Sequence, residues 1–454
     1  MNYTDFLESK KHSSQNYGID VNFLPDKMFD FQKYVSEYAI KKGRCAVFLD
    51  TGLGKTIIEL TVAKNYITEF NKPVLIITPL AVAFQFIKEA EKFGIDDVMY
   101  SRDGKYNTKI VICNYERLDK FNHMDFDCVI LDESSILKNF NGGIRNQVTS
   151  FLKKVKYRYL FTATPSPNDF VELGTSSEAL GYMGYTDMLT KFFTNNEDTI
   201  SPMNIGTQWI LKGHARVNFF RWVSGWSISM RKPSDLGFDD TLFVLPELNV
   251  NYHSVKNENN LVVNGQIQLF NQVARRLTEI RDEQRGTIEN RCKLAVELTK
   301  DKEKSVYWCN LNAEGDLISQ MDKTAQQIKG SMDLDKKEEL LIGFFKGEIN
   351  KLITKPKMTA FGLNWQHCNH TVFFPTFSYE QYYQSIRRFW RFGQKRDVTV
   401  DMVYSDGQKR VLDSLLAKTD KANELFSKLN SNLHQNFDIK QTDFNKQITL
   451  PSFL

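Results

Sequence analysis

A glycine-rich turn followed by a lysine is the first segment of the sequence with residues suited to phosphate chemistry. Residues 48–56 read FLDTGLGKT, between the apolar run CAVFLD and the helical pattern TIIELTVAKNYITEF. At a strand-to-helix junction, N–H groups of the turn and of the helix N-terminus can hold phosphate oxygens. This predicts a nucleotide site in which Lys55 contacts the β- and γ-phosphates and Thr56 binds magnesium. The expected cofactor-binding residues of the turn are Thr51, Gly52, Leu53, Gly54, Lys55 and Thr56.

The turn departs from the usual phosphate-loop pattern at its start, because Leu49 stands where that pattern begins with glycine. The first residue mainly shapes the turn, whereas the later amides hold the phosphate. The site is therefore compatible with leucine here. A glycine turn that only caps a helix is the alternative.

An acidic pair supplies the second half of the expected chemistry. The apolar strand of VILDESS places Asp132 and Glu133 at its carboxyl end. There Asp132 can hold magnesium, and Glu133 can orient and deprotonate an attacking water. An acidic pair after a strand is also a common helix N-cap, so this pair alone leaves both interpretations open. Combined with Lys55, it predicts a phosphoryl-transfer site that uses ATP and Mg²⁺.

Length and composition favour a multidomain globular protein. The chain has 454 residues, of which 41% are hydrophobic, and a formal net charge of +4. This charge is too small to indicate a nucleic-acid partner unless basic side chains gather on one surface. The six cysteines form no CxxC pair, no apolar run approaches a membrane span of roughly 18–20 residues, and the N-terminus lacks a signal-peptide core. We therefore expect a soluble, cytoplasmic protein.

The elements that must position these residues alternate between strands and helices. Apolar runs such as PVLIITP, KIVICN and YRYLFTATP, separated by helical patterns, predict a doubly wound parallel sheet. Residues 166–245 break this rhythm and predict a helical, aromatic-rich insertion. The α/β pattern then resumes with a long helix from residue 266 and a helix over YEQYYQSIRRFWRF. The predicted domains are 1–165, the insertion 166–245, a second α/β domain over 246–425, and a polar C-terminal tail over 426–454.

Eight segments in sequence resemble the motifs of superfamily 2 helicases and, within them, of the Swi2/Snf2 group of DNA-dependent ATPases. In chain order these are DTGLGKT, LIITPLAV, ICNYERL, LDESSILKN, FTATPSPND, VYWCNLNAE, TKPKMTAFGLNW and QYYQSIRRFWRFGQ. Ser135 stands where the acidic motif of the family often has histidine. The resemblance implies an α/β fold of two RecA-like parallel-sheet lobes, with ATP in the cleft between them and nucleic acid across both. In lacking accessory domains, the chain resembles the compact members of the family in phages and mobile elements. This resemblance implies that the protein acts in the cytoplasm of a bacterium or a phage-infected cell.

The resemblance also assigns catalytic residues to the second lobe, namely Gln384, Arg388 and Arg391. A cation brought in by lobe closure would stabilise the charge that spreads over the γ-phosphoryl oxygens. At helical i, i+3 spacing, Arg388 and Arg391 are expected on one helix face, with Arg387 pointing elsewhere. A basic helix that faces solvent or nucleic acid is the alternative.

Further binding residues follow from the same resemblance. Gln32 is expected to read adenine, although a surface glutamine at a helix start is an open alternative, and Gly362 joins the cofactor-binding set. The residues expected to contact nucleic acid are Thr78, Pro79, Asn114, Thr354 and Asn364. Each of them could instead serve only to form a turn.

Two other groups could bind nucleic acid or metal. The aromatic and basic residues of the insertion could stack on DNA, but we expect its aromatic residues to form a core; this group comprises Trp209, Arg216, Arg221, Trp222 and Trp226. The HCNH segment, residues 367–370, has metal-ligand residue types but no second cluster at ligand spacing, and zinc is not favoured.

The sequence therefore predicts an ATP-dependent motor that translocates on or remodels DNA, with duplex DNA as its partner. Two alternatives remain open at this point: a helicase that separates strands, and the motor subunit of a nuclease- or modification-coupled complex.

Overall fold

The computed structural model describes residues 16–79, 82–138, 142–195, 209–256, 262–263, 266–267, 284–359 and 364–436. The chain divides into two compact units. The first comprises residues up to 243 and from 421 onward, and the second comprises residues 244–420. No helix in the described ranges is both long and apolar enough to cross a membrane.

The first unit is built on a seven-stranded sheet of order β3-β4-β2-β5-β6-β1-β9. All neighbouring pairs in this sheet are parallel. A separate antiparallel pair joins β7 to β8. The strands are β1 Arg44–Leu49, β2 Val74–Thr78, β3 Val98–Tyr100, β4 Ile110–Asn114, β5 Cys128–Leu131, β6 Tyr157–Thr162, β7 Phe193–Asn195, β8 Trp209–Leu211 and β9 Ser227–Met230.

Helices cover both faces of this sheet, so its central strands are apolar on both sides. Along β1, Val47 and Leu49 belong to one core, whereas Ala46 and Phe48 belong to the other. This alternation follows from the period of two in a strand. The helices are α1 Asp30–Lys42, α2 Lys55–Phe70, α3 Ala83–Phe93, α4 Gly143–Leu152, α5 Leu173–Leu180, α6 Tyr185–Phe192 and α7 Arg216–Ser224.

The segment predicted as an insertion packs as part of the first unit. Its strand β9 pairs in parallel with β1, with Ala46 opposite Ser227, and its helices share the core of that unit. Trp226 is 1% exposed in this core, which confirms the expected core role for this tryptophan. Sequence periodicity did not reveal β9, because its residues SISM alternate serine with apolar side chains although all four are buried.

The second unit contains a six-stranded parallel sheet of order β10-β17-β16-β13-β15-β14. Its strands, with the small antiparallel pair β11 and β12, are β10 Leu248–Val255, β11 Val262–Val263, β12 Gln266–Ile267, β13 Ser305–Trp308, β14 Ala325–Gln327, β15 Lys351–Thr354, β16 His370–Phe373 and β17 Val398–Ser405. Its helices are α8 Ile288–Thr299, α9 Asn312–Met321, α10 Leu334–Lys346, α11 Pro356–Thr359 and α12 Tyr379–Ile386. Most of the long helix predicted from residue 266 lies outside the described residues. Two parallel-sheet units with flanking helices confirm the predicted fold class.

The final helix, α13, spans Lys409–Asn436. Phe426 and Leu429 are 3% and 1% exposed in the core of the first unit, and the guanidinium of Arg231 lies 4.4 Å from the ring centroid of Phe426. The structure therefore replaces the expected polar tail with helix as far as residue 436. Phe426 and Leu429 stand at helical i, i+3 spacing in a segment otherwise rich in Asn, Ser and Lys, and packing against the first unit stabilises the helix.

Candidate nucleotide site and nucleic-acid contacts

The phosphate loop joins β1 to α2 through two glycines in the left-handed conformation. Gly52 has a φ of 87° and Gly54 a φ of 82°, values that residues with a Cβ rarely adopt. A Cβ on Gly54 would also lie 2.3 Å from Nε2 of Gln32. The loop therefore requires glycine at positions 52 and 54.

The position of Leu49 explains why leucine is compatible with this loop. Its side chain is completely buried in the core of the first unit. Its carbonyl oxygen accepts a hydrogen bond of 3.1 Å from Nζ of Lys55. Position 49 thus contributes its backbone to the loop and its side chain to the core.

Gln32 packs beneath the phosphate loop and is only 5% exposed. Its Oε1 accepts a hydrogen bond from the N–H of Phe29, and its Nε2 donates to the carbonyl of Leu53, both at 3.1 Å. These contacts exclude the surface-glutamine alternative. They fix the glutamine against the turn that we expect to hold phosphate.

Asp132 follows β5 and lies in a buried polar pocket, with 6% of its surface exposed. Its Oδ2 accepts a hydrogen bond of 3.2 Å from Oγ1 of Thr78, and its backbone carbonyl accepts one of 2.6 Å from the Tyr115 hydroxyl. Burial, followed by the charge of Glu133, raises the pKa of Asp132 to about 7, although Lys55 and Thr78 act in the opposite direction. A bound cation would favour the ionised form of this carboxyl group.

Glu133 adopts a left-handed backbone conformation, with a φ of 51°. Such values are uncommon for residues other than glycine and occur often at functional sites. Its Oε2 accepts a hydrogen bond of 3.5 Å from Oγ1 of Thr162, at the carboxyl end of the neighbouring strand β6. The FTATPSPND segment therefore touches the acidic pair, a contact that the order of the segments alone did not reveal.

Glu59 is a site residue that the sequence analysis missed. It lies one helical turn after Lys55 and is completely buried. Burial and the nearby Asp132 raise its pKa well above the usual range for glutamate, and neither carboxyl oxygen has a hydrogen-bond partner in the described structure. The available signal was a lone acidic residue in the otherwise apolar stretch TIIELTVA.

The donor set near the loop fits magnesium. The hydroxyl of Thr56 and the carboxylate of Asp132 are oxygen donors, and Mg²⁺ is commonly held by one or two carboxylates together with substrate phosphates and water. Among the described residues, no three His, Cys, Asp or Glu side chains converge as a self-contained metal site. The hydroxyl of Thr56 and the carboxylate of Asp132 therefore fit a magnesium ion that also binds nucleotide phosphates.

The residues expected to contact nucleic acid in the first unit lie at the carboxyl ends of β2 and β4. The side chain of Thr78 is completely buried and binds Asp132, as described above. Asn114 is also buried, accepts a hydrogen bond from the Tyr100 hydroxyl, and donates one of 3.1 Å to the carbonyl of Pro79. In this structure Thr78 and Asn114 shape the edge of the sheet, whereas Pro79 is partly exposed.

In the second unit, the helix of the last motif is shorter than predicted. It was expected over residues 379–392, but α12 ends at Ile386. The N–H groups of Phe389 and Trp390 both donate to the Ile386 carbonyl, and the Arg388 carbonyl accepts from the Trp365 N–H at 2.9 Å. The expectation that both candidate arginines share a helix face is therefore wrong, because this tertiary hydrogen bond and the burial of Phe389 end the helix.

The arginines of this motif rest against aromatic rings. Arg388 is 3% exposed, and its guanidinium lies 4.3 Å from the ring centroid of Trp365. Arg387 donates a hydrogen bond of 3.1 Å to the Trp390 carbonyl and lies 4.8 Å from that ring. Arg391 is partly exposed on the turn. Gln384 is buried on α12.

A cavity of about 320 Å³ lies at the carboxyl edge of the second sheet and is lined in part by Thr354, Lys355 and Lys329. The hydroxyls of Thr354 and Thr359 share a hydrogen bond of 3.0 Å. Oδ1 of Asn364 is buried and has no hydrogen-bond partner within the described ranges. Gly362 lies outside the described residues.

Comparisons with known proteins agree with these two units. The family model described as DEAD/DEAH box helicase matches residues 29–173, and the model described as helicase conserved C-terminal domain matches residues 288–393. The variant structure of S. cerevisiae Dbp5 bound to RNA and ADP BeF3 covers 88% of this chain and 93% of its own, with a TM-score of 0.54 and 12% identity. This last likeness shows the fold alone.

Two relatives contain a segment similar to this chain. The mouse protein "DNA annealing helicase and endonuclease ZRANB3" is 30% identical over 190 residues, which cover 37% of this chain and 18% of that protein. The Xenopus tropicalis protein "SWI/SNF-related matrix-associated actin-dependent regulator of chromatin subfamily A-like protein 1" is 27% identical over 168 residues, which cover 35% and 18% respectively. The chain thus spans less than a fifth of the length of these relatives. Because the two helicase models together match more than half of its 454 residues in the expected order, the chain belongs to the helicases that these models describe. The segments shared with the two relatives agree with a Snf2-like member of that group.

Proposed function

We propose that this protein is an ATP-dependent motor that couples ATP hydrolysis to translocation on, or remodelling of, duplex DNA. The observation that carries the proposal is the arrangement at one edge of the first sheet. The loop after β1, with Lys55, faces the acidic pair after β5, and Lys55 lies close enough to Asp132 to influence its pKa. A cationic phosphate loop beside two carboxylates is the arrangement that phosphoryl transfer from ATP requires.

Each residue of this edge has a role that follows from its position. Lys55 and the loop amides bind the β- and γ-phosphates, and Gln32, held against Leu53, binds adenine. Thr56 and Asp132 would hold Mg²⁺, and a bound Mg²⁺ would neutralise phosphate charge. Glu133 orients the attacking water and takes its proton, and its contact with Thr162 keeps the carboxylate in place.

The second unit supplies the cations that the transition state needs. Arg388 and Arg391 act on the developing charge of the γ-phosphoryl group, and Gln384 assists from α12. We propose that these groups act only when the two units close on ATP, which would couple hydrolysis to movement. The stacking of Arg388 on Trp365 fixes the direction of the turn that carries both arginines.

DNA is the proposed track. The relatives described above include a protein named as a DNA annealing helicase, which supports DNA as the partner. The strand-end residues Pro79, Asn114, Thr354 and Asn364 are proposed to lie along the phosphate backbone without reading bases, and of these Pro79 and Asn364 are partly exposed. Such contacts would allow the motor to move along DNA of any sequence.

An ATPase assay of the full chain tests the proposal. Turnover is measured without nucleic acid and with single-stranded DNA, duplex DNA or RNA, and the Lys55→Ala variant serves as the blank. We expect duplex DNA to stimulate turnover strongly and the stimulation to weaken with added salt, since phosphate contacts release counterions. Equal turnover under all four conditions would contradict a translocase.

A strand-displacement assay separates the proposed translocase from a strand-separating helicase. A labelled strand annealed to a longer one is incubated with the protein and ATP. We expect ATP turnover without release of the labelled strand. Release that requires ATP would instead support the helicase alternative.

A further inference from the structure

A second cavity lies in the first unit, away from the phosphate loop. It has a volume of about 920 Å³, and its lining includes residues from the C-terminal ends of α1, α6 and α7. We call it the basal pocket and define it by Lys41, Lys42, Lys191, Arg221, Trp222 and Ser224. Its size falls in the range of pockets that enclose small ligands or one or two nucleotides.

The basal pocket lies at the edge of the sheet opposite the nucleotide site. Lys42 ends α1 two residues before β1 begins, and Ser224 ends α7 three residues before the parallel neighbour β9 begins. The phosphate loop follows β1 at its other end. Six strand residues at about 3.3 Å each place the two sites roughly 20 Å apart. The pocket therefore does not belong to the ATP site.

The lining of the pocket is cationic and contains no Asp or Glu among the described residues. Lys42 is 4% exposed, and its ammonium has no hydrogen bond or ion pair to any described side chain or carbonyl. The Lys42 ammonium loses part of its hydration without a carboxylate in the pocket to offset this cost, and this partial burial lowers the pKa of Lys42. An anion in the pocket would remove this cost.

A buried hydroxyl and two exposed cations complete the polar lining. Oγ of Ser224 is buried without a hydrogen-bond partner in the part of the chain that the structure describes. Arg221 and Lys191 are exposed at the mouth of the same pocket. A phosphate group, with several acceptor oxygens, can receive hydrogen bonds from the hydroxyl and from the cations at once.

Aromatic side chains stand beside these cations. Trp222 is partly exposed in the pocket, and Tyr38 and the buried Phe192 line the same cavity. Sites for single-stranded nucleic acid combine aromatic side chains, on which bases stack, with Lys and Arg side chains, which pair with the phosphates of the nucleic-acid backbone. An acidic peptide could form ion pairs with the Lys and Arg side chains, but it would offer no planar ring to stack on Trp222.

From these observations we propose that the basal pocket is a second nucleic-acid site that binds a single-stranded segment, with a phosphate on Lys42 and Ser224 and a base against Trp222. This site is independent of ATP turnover and of the strand-end contacts proposed for duplex DNA. It would let the protein hold a single strand while the motor acts on another part of the DNA.

The test measures binding of a fluorescently labelled oligothymidine to the full-length protein. The variant Lys191→Glu/Arg221→Glu changes only exposed side chains at the mouth of the pocket. The matched control, Lys154→Glu/Lys156→Glu, reverses two exposed lysines of the same unit outside the pocket. We expect the pocket variant to bind oligothymidine at least tenfold more weakly than the control, with a smaller dependence of affinity on salt, and to keep the ATP turnover measured without nucleic acid.

Cross-linking locates the bound strand and shows whether the weaker binding of the variant comes from the pocket itself rather than from a change elsewhere in the protein. With 5-iodouracil in the oligonucleotide, we expect cross-links in the peptide that contains Trp222, and their loss in the pocket variant. Affinity equal to that of the control, or cross-links that never fall in residues 214–225, would overturn the proposal. Binding of polyglutamate to the pocket in preference to oligothymidine would also overturn it and indicate an acidic protein partner. Failure of the proposed motor function would appear separately, as the absence of stimulation by duplex DNA.

Discussion

The nucleotide edge of the first unit and the last motif of the second unit position their charged groups in different ways. In the first unit, Asp132 and Glu133 accept hydrogen bonds from threonines on neighbouring strands. In the second, Arg388 and Arg387 rest on aromatic rings beyond the end of a helix. A parallel sheet brings strand ends together at one edge, so hydroxyls on neighbouring strands can orient its carboxylates by hydrogen bonds. A turn after a helix depends on aromatic packing to hold long cationic side chains.

This difference matches two different requirements of the proposed reaction. Carboxylates that bind a metal and a water need fixed positions, whereas an arginine that acts only in a closed state needs a directed but adjustable side chain. Five variants, grouped in four predictions, can break or sharpen the comparison, and they follow in order of expected effect.

The largest effect is expected at the nucleotide edge. Lys55→Ala should abolish ATP turnover because it removes the cation on the β- and γ-phosphates. Glu133→Gln should leave ATP binding intact but reduce turnover by about 10³ or more, since an amide cannot take a proton from water. Binding of a fluorescent ATP analogue and single-turnover hydrolysis measure the two effects. Turnover near that of the parent protein in Glu133→Gln would remove this residue from the proposed role.

The second prediction concerns the arginines of the second unit. Arg391→Ala should leave ATP affinity within a few-fold but lower turnover by about 10³, the scale of an arginine finger. Arg387→Ala is the matched control, because Arg387 is already engaged with Trp390 and should affect turnover much less. Steady-state kinetics at saturating DNA distinguish the two. Equal losses in both variants would indicate that this turn has a structural role only.

The third prediction concerns stability. Phe426→Ala should lower the free energy of unfolding of the first unit by about 3–5 kcal/mol, the usual cost of removing a buried phenylalanine. Ser427→Ala, an exposed change in the same part of the helix, is the control and should cost much less. Chemical denaturation followed by circular dichroism measures both. Equal small changes would show that residues from 421 onward do not stabilise the first unit.

The smallest effect is expected in the core of the second unit. Burial raises the pKa of Asp401, but hydrogen bonds from His370, His253 and Asn251 outweigh burial and hold its pKa below the usual value. A depressed carboxyl pKa stabilises the fold above the unfolded value of about 4, and this contribution is lost as the pH falls through the lower folded value.

Asp401→Asn should therefore cost about 1–3 kcal/mol at pH 7, the scale for a disrupted buried hydrogen-bond network. The difference between variant and parent should shrink as the pH falls below about 4. Urea unfolding at several pH values checks this, with Asp397→Asn, an exposed neighbour on the same unit, as the control. A difference that stays constant with pH would contradict the proposed charge effect.

Much of the fold was predictable because local patterns repeat the strand-to-helix unit. The runs over β1, β2, β4, β5 and β6 were each recognised from their apolar residues. The missed strands are either short, such as β3 with three residues and β14 with three, or carry polar residues at buried positions, such as β9. The burial of these strands depends on the strands and helices that pack against them, which lie far away in sequence.

The candidate site divides in the same way. Gly52 and Gly54 reflect the backbone angles of the loop, and Lys55 follows them at the spacing of a phosphate loop. The sequence alone therefore predicts these three site residues. Neither the contact between Thr78 and Asp132 nor the burial of Glu59 has a local signal. Each depends on strands or helices that meet only after folding.

The sequence by itself determined the family, the order of the motifs and the identity of the residues at the nucleotide edge, because each motif is a short segment whose residue types follow from its local backbone and chemistry. Only the tertiary structure decided where α12 ends, that residues 426–436 are helical with Phe426 and Leu429 in the core of the first unit, and that cations from α1, α6 and α7 line one pocket. These features depend on contacts between residues up to about 200 positions apart, such as the hydrogen bond of Ser229 with Asn430. Local propensity carries no information about such partners, since packing and hydrogen bonding across the folded chain select them.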